Sequence, residues 1–370
     1  MSCRGDIDRP PAAGIRSRLR QRAPILLPLA LLVLGCAGTR STGPTNSSVL
    51  DGLASRGVAL DDLLAPPSGA ELARVRAEWS ARDVGALDVR EEARFALPDD
   101  QVLLVISHRT PAGRHFGAVL APLTALAEDA TRPVLLQLHG LGPKLTLEVP
   151  DPAAAPPGTP PTEIITVWPS FAGHQLRFRD QTWSSDGDPW DFCDGAGDDA
   201  LRFLGAVREI VPAADPRRVV AFGGSRGGNV ALLLALRDPR VRRAVSLAGP
   251  TDFFVEELVS HENAFVLYAQ WLLRPSLDGT GSVADSRARL LRCSPRYFAA
   301  DLPAVQLHHG TADRNLPDGQ TRALEQTLRT LRRTSDEIYY YEGADHELEG
   351  YQPVLRDRVR AFLAPVFTGE

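Results

Sequence analysis

The stretch VVAFGGSRGGNVALLL, residues 219–234, constrains this chain more than any other. It reads as a buried strand, a turn with Gly-x-Ser-x-Gly spacing, and then an apolar helix. A strand that reverses into a helix over so few residues leaves no room for side chains beside the serine. Gly223 and Gly227 meet that demand, and Gly224 and Gly228 relax it further. Ser225 is then held above the end of a sheet, next to the unpaired N–H groups that open a helix. A serine presented in this way can serve as a nucleophile. The bland alternative is a glycine-rich turn whose serine does nothing.

A serine hydroxyl is a weak nucleophile at neutral pH and needs a general base, itself oriented by an acid. Both follow downstream, each just past a strand-like run. The acid candidate is Asp313 in LHHGTADRNLP (307–317), and the base candidate is His346 in YEGADHEL (341–348). Asp345 competes with Asp313, and His308 and His309 compete with His346. Both histidines precede the acid and sit at a strand end, which favours a structural role. The order serine, acid, histidine is the one expected of a strand–elbow–helix hydrolase.

His-Gly-Thr-x-Asp-x-x-x-Pro followed by Gly-x-x-His resembles the catalytic domain of the prolyl oligopeptidase family and its dienelactone-hydrolase-like relatives, over roughly residues 88–367. The resemblance implies an alpha/beta hydrolase fold, with a mostly parallel central sheet covered by helices on both faces. It implies Ser225 as nucleophile, Asp313 as acid and His346 as base. It places the oxyanion hole at His139-Gly140-Leu141-Gly142, with donors from the backbone N–H of Arg226 and of Gly140 or Leu141. The chain departs from the oligopeptidase pattern in one respect. Only about fifty residues separate Cys36 from the first strand, too few for the β-propeller that filters peptides in that family. The expectation is therefore a serine hydrolase that cleaves small carboxylic esters through an acyl-enzyme. A peptidase acting on short peptides is the enzyme alternative. A surface binding protein on a hydrolase scaffold is the non-catalytic one. No cofactor or metal is expected.

Beyond the elbow, apolar β-rich runs at 102–107, 115–121, 133–138, 164–168, 219–222, 241–247, 304–308 and 337–341 read as strands. Helical spacing recurs from Ala200 to Ile210. Hairpins early and βαβ alternation later give the α/β class. Residues 251–301 break the rhythm with a helical, aromatic insertion that reads as a lid over the site. Seven aspartates lie in 180–199 without the spacing of a calcium loop, so they read as helix capping and a solvated loop.

The N-terminus stands apart. Arg16, Arg18, Arg20 and Arg22 precede the apolar run Ala23 to Leu34, about a dozen residues and short for a bilayer span. The run ends in Val33-Leu34-Gly35-Cys36, which resembles a bacterial lipoprotein signal. That implies residues 1–35 as signal peptide, Cys36 as the lipidated (palmitate-type) first residue, and 36–87 as tether and extension before the catalytic domain of 88–370. By the same resemblance, Ala37 favours the outer membrane of the cell envelope. An exported chain can pair Cys193 with Cys293, although two separate buried thiols fit equally well. The net charge of -5 argues against a nucleic-acid partner.

Overall fold

Val219 and Ala221 face one side of a sheet and Val220 and Phe222 the other, and all four are buried. This two-sided burial explains why the strand is apolar throughout rather than alternating with polar residues. The computed structural model describes residues 46–127, 131–141, 145–152, 163–255 and 270–369. Cys36, Gly142 and residues 256–269 of the insertion lie outside the described residues.

The strands are β1 (Leu87–Leu97), β2 (Gln101–Thr110), β3 (Gly113–Pro122), β4 (Arg132–Leu138), β5 (Thr146–Glu148), β6 (Ile165–Pro169), β7 (Gln175–Phe178), β8 (Gln181–Ser184), β9 (Ala214–Gly224), β10 (Val241–Leu247), β11 (Ala304–Gly310) and β12 (Glu337–Tyr341). The helices are α1 (Asn46–Ser55), α2 (Leu60–Leu64), α3 (Gly69–Ala81), α4 (Asp194–Ile210), α5 (Arg226–Arg237), α6 (Gln270–Leu272), α7 (Arg274–Asp278), α8 (Val283–Arg292), α9 (Gly319–Thr330) and α10 (Gln352–Thr368).

Nine strands form one sheet in the order β1-β2-β3-β6-β4-β9-β10-β11-β12. The pairs β1–β2, β2–β3 and β3–β6 are antiparallel, and every pair from β6–β4 to β11–β12 is parallel. Helices α4, α5 and α9 cover one face, where Phe203, Leu204, Val230, Leu234 and Leu324 meet Leu104, Leu136, Val219 and Val305. On the other face α10 lays Leu355, Val359, Phe362 and Leu363 on Val220, Val245 and Leu247. The β1–β3 end of that face is capped by the small sheet β5-β7-β8, whose Leu147, Leu176 and Phe178 pack on Leu103, Val105 and Leu120. That second sheet is an addition to the expected helical cover.

The chain leaves β4 toward β6 on one side and leaves β9 toward β10 on the other. The ends of β4 and β9 therefore flank a crevice at which connections run in opposite directions, the usual ligand position in such sheets.

A separate apolar cluster joins Leu53, Leu63 and Val75 of the N-terminal helices to Phe253, Phe254, Leu273, Leu290 and Phe298 of the insertion. The described part of the insertion is thus packed against α1–α3. Cys193, just before α4, and Cys293, just after α8, form a disulfide with Cα atoms 5.6 Å apart. Of the two thiol readings, the bonded one is the one observed.

In the aspartate-rich stretch Asp180, Asp186, Asp188 and Asp191 are exposed, as a solvated loop requires, whereas Asp194, Asp198 and Asp199 are not. The helix begins at Asp194, six residues before the apolar periodicity becomes visible. Asp194 and Asp198 are consumed by ion pairs with Arg82 and Arg237, and Asp194 also pairs with Arg292 at 3.0 Å. Asp199 accepts the Ala172 N–H at 2.8 Å. Among the described residues, no group of three or more His, Cys, Asp or Glu side chains could hold a metal ion. No helix among them is long and apolar enough to cross a membrane.

Candidate active site

The turn after β9 is as tight as its glycines require. Ser225 has φ 54° and ψ -125°, a left-handed backbone that costs a residue with a Cβ energy and survives only where the surroundings impose it. A Cβ on Gly227 would lie 2.0 Å from the Leu138 carbonyl oxygen, and one on Gly223 would lie 2.3 Å from the Gly227 carbonyl. Any side chain at either position would push the elbow off β4 or off its own helix. Helix α5 then runs directly into the core, with Val230 to Leu234 fully buried.

Ser225, Asp313 and His346 follow the C-terminal ends of β9, β11 and β12, so the parallel sheet delivers all three to one edge. Backbone bonds lock that edge together. Ser225 N–H donates to Leu247 O at 2.8 Å and Ala248 N–H to His308 O at 2.7 Å. Thr311 N–H donates to Tyr341 O at 3.0 Å and Ala312 N–H to Ala344 O at 2.9 Å.

The Asp313 carboxylate is fully buried and has no idle oxygen. Its Oδ1 accepts the N–H groups of Asn315 and Leu316 at 2.8 and 2.9 Å. Its Oδ2 accepts His346 Nδ1–H at 2.6 Å, and His309 Nε2 lies 3.2 Å away. Burial opposes ionisation, but the hydrogen bonds from His309 and His346, the His346 charge and the Leu316 N–H outweigh it. They hold the carboxyl well below the usual carboxylate range. For His346, burial works against the imidazolium, while the hydrogen bond and charge of Asp313, with Glu347 and Asp345 nearby, raise it above the ordinary value. With Nδ1–H given to Asp313, Nε2 carries the lone pair. Among the described residues no hydrogen bond joins Ser225 Oγ to this imidazole. In enzymes that use such a pair, that contact commonly tightens only when substrate is bound.

The competing residues are placed elsewhere. Asp345 is exposed and accepts the N–H groups of Glu347 and Glu349. His308 is buried between Tyr341 OH and Gln306 Oε1, where desolvation lowers it to about 3. His309 faces the opposite side of β11, bonds Thr321 Oγ1 through Nδ1 and donates Nε2–H to Leu316 O while backing Asp313. Its contact with the acid was not foreseen, although strand alternation alone would separate His308 from His309.

The loop after β4 brings Gly140 against the elbow. A Cβ built on Gly140 would lie 3.7 Å from Ser225 Cβ and 3.6 Å from Gly224 O. Arg226 is the largest fully buried side chain among the described residues. Its guanidinium donates to Gly140 O at 2.8 Å and to His174 Nε2 at 2.9 Å, and it lies 4.7 Å from the Phe171 ring centroid; His139 Nδ1, 3.1 Å from the guanidinium, donates to the same Gly140 O at 2.9 Å.

A serine in a strained strand-to-helix elbow, beside a buried histidine–carboxylate pair on one edge of a mostly parallel sheet, defines a serine hydrolase with the alpha/beta hydrolase fold. Residues 194–369, which hold the elbow, the acid and the histidine, match the model of the prolyl oligopeptidase family. No curated protein matches the chain. Among solved structures, acetyl xylan esterase 1 from Thermoanaerobacterium sp. is 17% identical with a TM-score of 0.55, and the match covers 79% of this chain and 92% of that one. An acetyl xylan esterase from Paenibacillus sp. is 17% identical with a TM-score of 0.57, over 82% of this chain and 98% of that one. A puromycin hydrolase mutant is 15% identical with a TM-score of 0.50, over 76% of this chain and only 40% of that one. At these identities the likeness is one of fold.

Proposed function

We propose that this protein hydrolyses small carboxylic esters, with Ser225 as nucleophile, His346 as general base and Asp313 as the acid that orients it. His346 Nε2 takes the Ser225 hydroxyl proton as Oγ bonds to the carbonyl carbon. The tetrahedral oxyanion is held by the backbone N–H of Arg226 and one from Gly140 or Leu141, each such donor being worth about 3 kcal/mol of barrier. The imidazolium gives its proton to the leaving alkoxide, the carbon–oxygen bond breaks, and an acyl-serine remains. Water, activated by the same imidazole, then releases the acid and restores Ser225.

The observation that carries this reading is the buried 2.6 Å hydrogen bond from His346 to Asp313 on the sheet edge that also presents Ser225. The ester rather than the peptide bond is supported by the two acetyl xylan esterases, which are matched over 92% and 98% of their length. A short-peptide peptidase is the second reading, favoured by the family that residues 194–369 match. Ser225→Ala should remove p-nitrophenyl acetate turnover while leaving the fold intact, and unchanged turnover would sink the assignment. A panel of short-chain esters against aminoacyl and prolyl amides separates the two bond types.

We further propose that Cys36 is the lipidated residue anchoring the protein to the cell envelope, on the strength of the Leu34-Gly35-Cys36 motif alone. Cys36→Ala should move the protein from the detergent to the aqueous phase; retention in detergent would refute the anchor.

A further inference from the structure

Arg226 is an unusual neighbour for a nucleophile, because its charge is sealed inside the protein directly beneath the elbow. A buried guanidinium is stable only where acceptors meet its N–H groups. The acceptors come from two loops, which the ring contacts of His139 with Phe171 and His174 also join: Gly140 after β4, and His174 after β6. His174 donates Nδ1–H to Ala172 O at 2.8 Å, which leaves Nε2 as an acceptor for Arg226. His139 stacks on Phe171 with ring centroids 4.4 Å apart and planes 19° apart, and Phe171 also underlies the guanidinium. Burial, and then the nearby arginine charge, lower both imidazoles, His174 to about 4, so both are neutral near neutral pH, His174 accepting through Nε2 and His139 donating Nδ1–H to Gly140 O.

The consequence falls on one peptide plane. Arg226 holds the Gly140 carbonyl oxygen at 2.8 Å, from the inner side of the elbow, and His139 Nδ1–H shares it at 2.9 Å. The peptide from Gly140 to Leu141 is trans, so the Leu141 N–H points opposite to that carbonyl, away from the guanidinium. Leu141 N–H donates to no described residue, and Gly140 itself is packed against Ser225. We infer that the Arg226 side chain is a positioning residue that fixes the Gly140–Leu141 peptide so that its N–H serves the oxyanion formed at Ser225. Arg226 would then act twice, through its own backbone N–H and, at one remove, through its side chain. A planar fork suits the task, because it spans Gly140 O and His174 Nε2 at once, whereas an ammonium is a point charge.

The inference rests on Ser225 being the nucleophile, and the experiment separates the two. A fluorophosphonate probe, with the labelled residue located by mass spectrometry, first titrates active sites in the unmodified protein. Failure to label Ser225 defeats the functional reading and leaves nothing for Arg226 to position. With labelling secured, kcat and KM for p-nitrophenyl acetate are measured per titrated site, together with inhibition by a trifluoromethyl ketone, which mimics the oxyanion. Arg226→Met should lose about a hundredfold in kcat, the low end for loss of one oxyanion donor. KM should stay within twofold, and the inhibition constant should rise in step with the fall in kcat. Arg226→Lys should remain at least tenfold down. Should the methionine variant not fold, Phe171→Leu loosens the same guanidinium without removing a hydrogen-bond partner and should lower kcat several-fold. A merely structural role would lower the melting temperature and the number of titratable sites while leaving kcat and inhibition per site unchanged. That result, or full activity in the lysine variant, overturns the proposal.

Discussion

Replacing Asp313 with asparagine tests the candidate triad most directly, because the structure dictates what the amide must do. Oδ1 faces two N–H donors, from Asn315 and Leu316, and Oδ2 faces His346 Nδ1–H and the nearby His309 Nε2. If the asparagine keeps its oxygen toward the backbone, its NH2 group confronts His346 Nδ1–H, donor against donor. The imidazole can relieve that only by moving its proton to Nε2, the nitrogen that must accept the serine proton. The opposite rotamer sets NH2 against the two backbone donors instead. A wrong tautomer at this position costs about 10⁴ in kcat, roughly 5 kcal/mol of barrier. The loss in folding stability is smaller, about 2 kcal/mol for one charge-assisted hydrogen bond at a fully buried carboxylate, so kinetics and stability should diverge.

The pH dependence gives a second reading of the same variant. His346 must be neutral to act as base, and its value is raised above 6.5 mainly by Asp313, so activity falls as pH drops through that raised value. In Asp313→Asn the acid limb of kcat/KM should move to lower pH. For stability the signs differ. Asp313, depressed in the fold, contributes above its unfolded value and loses that contribution as pH falls through the folded one. His346, raised in the fold, contributes fully below 6.5 and loses it as pH rises through its folded value. The assay is p-nitrophenyl acetate hydrolysis from pH 5 to 9 beside urea unfolding. An asparagine variant within tenfold of full activity, with its acid limb unmoved, would refute the triad.

Three further outcomes follow from the packing. Gly227→Ala places a methyl group 2.0 Å from the Leu138 carbonyl, which is backbone and has nowhere to go; the variant should lose more than about 3 kcal/mol in urea unfolding, or fail to accumulate in soluble form. Asp194→Ala removes an acceptor of Trp79 Nε1–H at 2.9 Å and the partner of Arg82, Arg237 and Arg292, so about 3–5 kcal/mol should disappear from the same measurement. Reducing the Cys193–Cys293 bridge, which closes a separation of 100 residues, should cost about 4–5 kcal/mol, seen as a lower melting temperature under reducing conditions; an unchanged melting temperature would contradict the contribution assigned to it.

The parts of the fold legible in the sequence are those whose physics is local. Strands β10 and β12 have the bounds read from the sequence, because β-branched and aromatic residues cluster in VRRAVSL and EIYYY, although Arg242 is exposed and β12 is mostly half-buried. The elbow is legible because its glycines are demanded by contacts a few residues away or by the strand beside it. Strands β7 and β8 have four residues each, β7 burying only Leu176 and Phe178 and β8 burying none, so they carry no run to read. The start of α4 was hidden because Asp194 and Asp198 look solvated until Arg82, far earlier in the chain, and Arg237 arrive beside them. Arg226 was hidden for the same reason. Its motif predicts a backbone donor, while the partners that bury its side chain lie 52 and 86–87 residues away.

The disulfide also decides how the molecule survives being cut. Ser225 lies between the two bonded cysteines, whereas Asp313 and His346 lie beyond the second. A single proteolytic nick anywhere from Arg226 to Arg292 therefore distributes the three residues over two polypeptides, with the serine on one and its acid and base on the other. The bridge keeps those polypeptides together as one covalent species. Such a nicked form would run as one band without reductant and as two with it.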